Sequence, residues 1–514
     1  MGVVCIVVRL LFSFIALIQM EASAGCREPQ LPRDCEFLCT TSRQGVETCE
    51  LRIAVLLPAD SRYEISLPKV LPVLDLAVYD ARARGLLPSW LNLTFLPQDD
   101  HCDATYAQIG AFDSYSNCVH LFLGPACDYS IAVVGRVAKF LGAPVITTGG
   151  FTFDFTQKKK ECIDEYYMTL RIGNLAFRDL AYFFIAIMDK NKWQKVHLLY
   201  ATNGQTQVAG RHTCQLMMKS MVEFVKRRQD FTFGTFDAET TSPKDYAETL
   251  RDHVGNIYSV VVMCANATTI REILLAAEEL GMVDSGEYVF FSIELSSSDN
   301  NSEEPWRVEG DTEVRNEKAK KAYQALLTVT ARTPDNLEYL NFSREVKSLA
   351  QSRYNFTFGN SSVSTFVTAF YDAVLLYALA LNESLPDKPG EVNLDGGNLT
   401  RRMWGKSFRG ITGDVNIDEN GDRIADYSLL DMNPATLKFE IVANYYGANQ
   451  TLEYVAGRPI HWSGGRQEPP PDTPTCGFDG TLCPDNSLPG YAILSIVLSS
   501  IVVGLVVASV FIYR

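Results

Sequence analysis

A strand-turn-helix pattern at residues 121–130, LFLGPACDYS, constrains the fold of this chain more than any other stretch. The apolar run Val119 to Leu123 has the length and the bulky residues of a buried strand, and Gly124-Pro125 ends it with a turn. A helix is predicted next, because apolar residues recur at spacings of three and four, at Ile131, Val134, Ala138 and Leu141. Its N-terminus is expected to face the crevice in which open α/β sheets bind ligands.

The same alternation of strands and helices continues along the chain. Further strands are predicted at 51–57, 91–96, 144–148, 196–200, 231–236, 260–264 and 288–293. Further helices are predicted at 67–83, 211–226, 246–253, 270–280 and 366–381. Strands that alternate with helices indicate βαβ units, so we expect parallel, doubly wound sheets in two successive α/β lobes.

A hairpin is predicted at residues 408–427, with Asn420-Gly421 as its turn. Asp418, Asn420 and Asp422 resemble the spacing of a calcium loop. However, the glycine stands at the fourth position of the loop instead of the sixth, and no glutamate closes the loop. We therefore expect no metal here.

The two ends of the chain predict a secreted protein with a membrane anchor. Residues 1–24 combine Arg9, an apolar core from Leu10 to Ile18 and a small-x-small cleavage site that ends at Ala24, as in a signal peptide. Residues 491–513 carry no charge, and at ~1.5 Å per residue they are long enough to cross a bilayer. The expected location is the plasma membrane, in a single pass, with the N-terminus outside and residue 514 as the cytoplasmic end.

Cysteine usage agrees with an oxidising compartment. The chain has 13 cysteines, and removal of Cys5 with the signal peptide leaves an even number, as expected of a fully paired extracellular chain. Residues 25–49 form a cysteine-rich extension in which the pairing of Cys26, Cys35, Cys39 and Cys49 is open. N-x-S/T sequons predict glycosylation at Asn92, Asn266, Asn300, Asn341, Asn355, Asn360, Asn382, Asn398 and Asn449.

The formal charge of −15 disfavours nucleic acid as a partner and favours the approach of a basic ligand. The histidines show no metal-ligand spacing, and neither a Gly-x-Ser-x-Gly motif nor a phosphate loop occurs. No catalytic site is expected, so the chain is interpreted as a binding protein and not as an enzyme.

Several segments, in order, resemble the extracellular region of natriuretic peptide receptors. They are FLGPACDY, PVITTGG, VVMCANATTIREILLAAEELG, EYVFFSIEL and the glycine-rich hairpin. The similarity runs from about residue 51 to 462 and continues through PPPDTPTCGFD into the membrane segment. The resemblance implies a periplasmic-binding-protein type I fold, an α/β architecture in which three crossing segments join two doubly wound lobes.

The resemblance also implies domain boundaries. The receptor ligand-binding region would span residues 50–462, followed by a juxtamembrane segment at 463–490 and a transmembrane helix at 491–513. Lobe I would comprise about 50–170 and 363–410, and lobe II about 171–362 and 411–455.

Disulfides and ligand contacts follow from the same resemblance. It implies the pairs Cys102 with Cys127, Cys214 with Cys264 and Cys476 with Cys483. Cys118 and Cys162 are additional to these pairs, and whether they pair with each other is open. The hormone contacts that match are Tyr129, Arg136, Glu165 and Tyr166. The segment after Cys214 departs from the family pattern, because Gln215, Leu216 and Lys219 replace two aromatic residues and a glutamate. Lys219 is still expected to contact the ligand, with the opposite charge.

A chloride ion is a further expectation from the family. The amides of Ala126 and Cys127 would bind it, but residues 96–100 lack the serine that the family places there. No other cofactor is expected.

Three functions remain open. The chain is a peptide-hormone receptor of clearance or decoy type, a truncated product of a receptor guanylyl cyclase, or a small-molecule module that uses Thr147, Thr148 and Gly149 in an amino-acid cleft. The expected partners are an extracellular peptide hormone and a second subunit, as a homodimer or as a heterodimer with a related receptor.

Overall fold

The structure is a computed structural model, which describes residues 39–41, 47–240, 245–295, 304–334, 336–360, 362–386, 394–483 and 490–513. The predicted signal peptide, Cys26, Cys35, Asn300 and Arg514 lie outside the described residues. The other eight sequon asparagines are exposed, and their glycosylation stays a prediction.

The described residues form two sheets, a small hairpin and 14 α-helices. The strands are β1 Cys39–Thr41, β2 Glu47–Leu57, β3 Leu91–Asp99, β4 Val119–Leu123, β5 Val145–Thr147, β6 Thr169–Arg171, β7 Lys195–Tyr200, β8 Thr232–Asp237, β9 Val260–Cys264, β10 Val289–Glu294, β11 Leu326–Ala331, β12 Ser407–Gly410, β13 Gly413–Asn416, β14 Tyr427–Met432, β15 Phe439–Tyr446 and β16 Thr451–Tyr454. The helices are α1 Leu67–Ala83, α2 Ala104–Ser116, α3 Asp128–Leu141, α4 Phe177–Asn191, α5 Thr206–Ala209, α6 Thr213–Val225, α7 Tyr246–Thr249, α8 Ala267–Glu279, α9 Met282–Ser285, α10 Glu313–Ala322, α11 Leu337–Tyr354, α12 Thr365–Asn382, α13 Gly396–Met403 and α14 Gly490–Ile512.

Lobe I is built on the first sheet, in which β3, β2, β4, β5 and β6 lie side by side and run parallel. The end of the cysteine-rich extension adds β1 antiparallel to the start of β2, where a Cys39–Cys49 disulfide joins the two strands. The apolar stripe predicted for α3 is buried against this sheet. The helix ends at Gly142, whose φ of 68° is accessible to glycine at little cost.

Lobe II is built on a mixed sheet, which differs from the all-parallel sheet predicted. β8, β7, β9, β10 and β11 run parallel, and β14, β15 and β16 continue the sheet as an antiparallel meander. The last three strands follow one another through short turns, without the intervening helix that a parallel connection needs.

The chain crosses between the lobes after β6, after β11 and between β13 and β14. The second crossing comes earlier than expected, because α11 packs on α1 of lobe I. Tyr354 at its end donates a hydrogen bond of 2.6 Å to Asp75 of α1, and Arg353 lies 2.8 Å from the same carboxylate. Residues 337–354, which were expected in lobe II, therefore lie with lobe I.

The predicted hairpin has its turn in another place. β12 and β13 pair around Ile411-Thr412, and Asn420-Gly421 forms a second turn beyond them. Asp372 of α12 fixes the first turn, because its carboxylate accepts hydrogen bonds from the backbone N–H groups of Ile411 at 2.7 Å and Thr412 at 3.3 Å. This contact spans about 40 residues of sequence, so a local pattern could not indicate it.

Residues 463–483, expected as a juxtamembrane linker, are docked along lobe II as a strap. The Glu287 carboxylate accepts hydrogen bonds from the backbone N–H groups of Cys476 and Gly477, each at 2.9 Å. The Trp193 indole donates to the carbonyl of Pro470 at 2.7 Å. The strap is therefore part of lobe II, and the α14 helix follows it in the chain.

Among the residues that the structure describes, two helices are long and apolar enough to span a membrane. The first, α12, is 89% buried and is a core helix of lobe I. The second, at Tyr491–Ile512, has a mean hydropathy of 2.7 and is not buried against the protein. Its length and composition fit the predicted membrane span.

Candidate functional site

The turn at residues 124–128 positions the start of α3 at the carboxyl end of β4, as expected for a doubly wound sheet. Asp128 lies in the first turn of α3, is 3% exposed and accepts a hydrogen bond of 2.7 Å from the backbone N–H of Phe151. Burial raises the pKa of this carboxyl to about 7. The turn is thereby tied to the loop after β5, which carries the next part of the site.

Three of the predicted contact residues lie together. Arg136 of α3 pairs with Glu165, and its guanidinium carbon lies 5.2 Å from the ring centre of Tyr166. The side chains of Arg136 and Glu165 are 49% and 46% exposed, so solvent screens their attraction. Tyr166 is buried against Phe155, and burial raises its pKa to about 12. The exposed Arg136–Glu165 ion pair therefore packs on the buried ring of Tyr166.

The fourth residue, Tyr129, faces lobe II. It is 46% exposed, and its ring meets His212, which precedes α6, edge to face with 5.9 Å between the ring centres. Lys219, two helical turns further along α6, lies with its ammonium 5.7 Å from the ring centre of Phe153 in lobe I. Helices α3 and α6 therefore place their polar side chains on one surface that both lobes share.

His212 and Phe153 also belong to this surface, but the sequence did not predict them as site residues. Phe153 contacts Lys219 on one side and Phe224 on the other, with 6.2 Å between the two aromatic ring centres. His212 precedes a cysteine in a polar stretch, and Phe153 lies in an aromatic-rich loop. Neither stands in a periodic pattern, so only the fold reveals that they meet residues of the other lobe.

The lobes also touch directly beside this surface. The backbone N–H of Glu64 in lobe I donates to the carbonyl of Gln207 in lobe II at 2.7 Å. Gly210 has a φ of 88°, and a Cβ atom there would lie 2.7 Å from the sulfur of Cys102. Lobe II thus packs against the Cys102–Cys127 disulfide of lobe I.

The three remaining described disulfides close short or medium loops. The structure joins Cys102 with Cys127, Cys214 with Cys264 and Cys476 with Cys483, which are the pairs that the resemblance implied. Cys118 and Cys162 are disulfide-bonded as well. Within the described part of the chain they are not joined to each other, so a Cys118–Cys162 pair is not confirmed.

The residues near Ala126 and Cys127 do not favour chloride. Asp100, a fully buried carboxyl, accepts a hydrogen bond of 3.0 Å from the backbone N–H of Cys102, whose disulfide partner is Cys127. Burial raises the pKa of Asp100 to about 6. At neutral pH this carboxylate would disfavour an anion near Cys127, and chloride binding stays a prediction.

Thr147, Thr148 and Gly149, the residues proposed for an amino-acid cleft, pack at the end of β5 against the turn that precedes α3. The Thr147 hydroxyl donates to the carbonyl of Pro125 at 2.6 Å and accepts from the backbone N–H of Gly149 at 2.9 Å. A Cβ atom on Gly149 would lie 1.9 Å from the carbonyl oxygen of Ala126. Thr148 is fully buried. These groups are packed against the turn and do not face an open cleft.

A buried ion cluster joins the first and third crossings. The sequence did not predict it. Asp422 accepts hydrogen bonds from Lys159 at 2.6 Å and from Arg171 at 2.7 Å, and all three side chains are at most 5% exposed. Lys159 is the middle residue of three consecutive lysines, which in sequence are typical of a solvated stretch. Asp422 belongs to the loop whose spacing resembled that of a calcium site, and its carboxylate binds these two cationic side chains.

Comparisons with known proteins agree with this architecture. In sequence, residues 69–435 match the family model described as "Receptor family ligand binding region". The receptor-type guanylate cyclase gcy-28 of Caenorhabditis elegans is 35% identical over 504 residues, which cover 88% of this chain and 38% of that protein. Human atrial natriuretic peptide receptor 3 is 31% identical over 429 residues, which cover 80% of this chain and 74% of the receptor.

A solved structure supports the fold alone. The solute-binding protein of an R. palustris ABC transporter, determined with benzoate, aligns with a TM-score of 0.52 and 13% identity. The alignment covers 80% of this chain and 99% of that protein. The fold is the type I periplasmic-binding-protein fold, with an apolar helix at the C-terminal end of the described chain. Together with the match over residues 69–435, this shows that the chain belongs to the receptor ligand-binding-region family that includes the natriuretic peptide receptors.

Proposed function

We propose that this chain is a cell-surface receptor that binds an extracellular peptide hormone and acts as a clearance or decoy receptor. The observation that carries the proposal is the exposed surface on which Arg136 and Glu165 of lobe I lie near the Tyr129–His212 contact between the lobes. Aromatic rings and arginine are the side chains that most often anchor a peptide or protein partner.

The shape of this surface supports a peptide over a small molecule. Small ligands usually occupy enclosed pockets that bury most of their area. Here the polar groups are half exposed, and the packing of Gly210 on the Cys102–Cys127 disulfide brings the lobes together beside them. A looped peptide would extend across α3 and α6, whereas an amino acid would need an opening at Thr147 that the turn occupies.

The apolar helix α14 supports attachment to a membrane. Its 23 residues carry no charge, and the strap that precedes it is docked on lobe II. A helix of this length would cross the bilayer once, with the glycosylated lobes outside. The proposed location is therefore the plasma membrane.

A pair of exposed helices supports dimerisation. α2 and α3 pack side by side on lobe I and expose four large apolar side chains, each 46% to 59% accessible: Tyr106, Ile109, Phe112 and Phe140. A cluster of this kind is typical of a protein interface. We propose that a second copy, or a related receptor, covers it through a two-fold contact.

The relatives support a receptor function but do not distinguish a clearance receptor from part of a receptor guanylate cyclase. The chain spans about two fifths of the guanylate cyclase it resembles and about three quarters of atrial natriuretic peptide receptor 3. A truncated product of a receptor cyclase is therefore the second candidate, favoured by the 35% identity to gcy-28. Sequencing of the transcript beyond codon 514 separates the two candidates.

Binding and output are tested in cells that lack receptor cyclases. Cells that express the chain are offered a panel of labelled disulfide-cyclised peptide hormones, and surface binding, uptake and cyclic GMP are measured. We expect saturable binding and uptake without a rise in cyclic GMP. Ligand-dependent cyclic GMP would contradict the clearance or decoy role, and failure of every peptide to bind would contradict the receptor role.

A further inference from the structure

We propose that the peptide ligand carries an acidic side chain, which docks on a cationic face at the start of α6. This proposal rests on the peptide-receptor function above and specifies the chemistry of the ligand. The cationic face is defined as Arg211, His212, Gln215 and Lys219. The four lie in residues 211–219 around the start of α6, where His212 and Lys219 contact Tyr129 and Phe153 of lobe I.

The cationic face has no acidic residue of its own. The segment 211–222, RHTCQLMMKSMV, contains no aspartate or glutamate, and the next acid, Glu223, pairs with Lys226 and Arg227. Arg211 and Lys219 are exposed, and within the described chain neither forms an ion pair. Their positive charges are therefore available to a partner, in a protein with a formal charge of −15.

Across the interface, no described residue of lobe I forms an ion pair with this face. Its exposed acid near the site, Glu165, is paired with Arg136. Asp154, which follows Phe153 in the chain, forms no ion pair with Arg211 or Lys219 in the described chain, and its charge adds to the burial that raises the pKa of Asp128 and Tyr166. Asp103 of lobe I lies close enough to Arg211 for their charges to interact, but its carboxylate caps α2 by accepting from two backbone N–H groups.

The aromatic neighbours fix the position of the charge. The ammonium of Lys219 lies 5.7 Å from the ring centre of Phe153, where a cation is attracted to the ring face. Tyr129 and His212 form a second aromatic contact about two helical turns away, which corresponds to ~10 Å along α6. A peptide loop with one carboxylate flanked by apolar or aromatic residues would complement this arrangement.

The probe is a phage library of disulfide-cyclised random peptides, selected on the full chain in phosphatidylcholine nanodiscs. The displayed rings are fused through their C-termini, so a selected carboxylate comes from a side chain. The same selection is made on Lys219→Glu and on Lys192→Glu. Lys192 is an exposed lysine of lobe II that ends α4 and lies outside the site.

We expect rings rich in aspartate and glutamate from the unsubstituted chain and from the control Lys192→Glu. We expect rings rich in lysine or arginine from Lys219→Glu. The best acidic ring is then synthesised as a C-terminal amide in its Asp, Asn and Lys forms. The Asp-to-Lys exchange should weaken binding to the unsubstituted chain by roughly tenfold and should strengthen binding to Lys219→Glu.

The outcomes separate this inference from the proposed function. Selected rings without an acidic residue, or an equal effect of the Asp-to-Lys exchange on both chains, would overturn the acidic-ligand inference and leave the peptide receptor standing. If no ring is enriched on the unsubstituted chain, the peptide-receptor function itself fails, and this inference fails with it.

Discussion

The ammonium of Lys159 lies 2.6 Å from the carboxylate of Asp422, although 263 residues separate them in the chain, and both side chains are 1% exposed. Arg171 completes the cluster at 2.7 Å from the same oxygen. Burial alone would raise the pKa of Asp422, but the two cations hold it below its usual range. Burial lowers the pKa of Lys159, which Asp422 opposes. The geometry favours the charged form of both residues, because each charge is directly paired.

Asp422→Asn should destabilise the fold by about 3–5 kcal/mol, because it leaves two buried cations without a carboxylate. Chemical unfolding of the purified chain at pH 7 measures the change. Glu419→Gln is the matched control, since Glu419 lies in the same loop and pairs with Lys160 at 3.1 Å while 85% exposed. Equal effects of the two substitutions would contradict a stabilising role for the buried pair.

The lowered pKa of Asp422 also determines how its contribution to the free energy of unfolding changes with pH. A carboxyl that is more acidic in the folded chain stabilises it above the unfolded pKa of about 4, and this contribution is lost as the pH falls further. The difference between the unsubstituted chain and Asp422→Asn should therefore be constant between pH 5 and 8 and shrink only in stronger acid.

Asp128→Asn should have the opposite pH signature. The raised pKa of Asp128, about 7, means that its stabilising contribution is complete below pH ~4 and is lost as the pH rises through 7. Relative to the unsubstituted chain, Asp128→Asn should gain stability between pH 4 and 7, by at most about 1.4 kcal/mol per pH unit. Its amide oxygen retains an acceptor for the Phe151 N–H.

Unfolding midpoints measured across this pH range provide the readout for Asp128→Asn. Asp113→Asn, at an exposed position of α2, is the control and should leave the profile unchanged. A flat difference between Asp128→Asn and the unsubstituted chain would mean that the carboxyl at position 128 is not protonated in the fold.

Much of the fold could be predicted from local periodicity. The helix predicted at 67–83 matches α1, because its apolar stripe of Val70, Val73, Leu74 and Ala77 is the face that lobe I buries. The meander of β14 to β16 escaped prediction. β14 lies inside the sheet and is almost fully buried, so it shows no alternation, and β16 is short and mostly exposed.

The site was less predictable, because its key contacts join distant segments. Arg136 and Tyr166 were proposed from the family resemblance, and the fold brings them within 5.2 Å. Lys159 could not be distinguished from Lys158 and Lys160 by composition. Lys159 is buried and paired only because its loop packs on Asp422. Asp422 belongs to the third crossing, more than 250 residues later in the chain, so a local pattern does not reveal the contact.

Cys214 and Cys264 should be recovered as one disulfide-linked pair of peptides. They are both fully buried, their Cα atoms lie 5.4 Å apart, and the bond closes a separation of 50 residues. In the chain-entropy model a loop of this length contributes about 4 kcal/mol. Peptide mapping under non-reducing conditions identifies the pair, and recovery of either cysteine as a free thiol would contradict the assignment.

Glu287→Ala should release the strap from lobe II. The carboxylate accepts from the N–H groups of Cys476 and Gly477, and each hydrogen bond to a charged group contributes about 1.5–3 kcal/mol. Hydrogen exchange should therefore become faster in residues 470–483, while the strands of lobe I keep their protection. Glu309→Ala, at an exposed position of lobe II, is the control. Unchanged exchange in the strap would show that Trp193 and the Cys476–Cys483 disulfide hold it without Glu287.

Arg136→Ala should weaken peptide binding by about 1–3 kcal/mol if its guanidinium contacts peptide carbonyls in the bound state. Loss of the Arg136–Glu165 pair alone should change stability little, because both side chains are half exposed. Arg136→Lys retains the charge but not the planar donor pattern, so it should restore only part of the affinity. Arg344→Ala, an exposed arginine of α11 outside the site, is the matched control. Binding of a labelled cyclic peptide to the folded chain is measured for all three variants, and an unchanged affinity of Arg136→Ala would assign Arg136 to the solvated surface instead of the binding site.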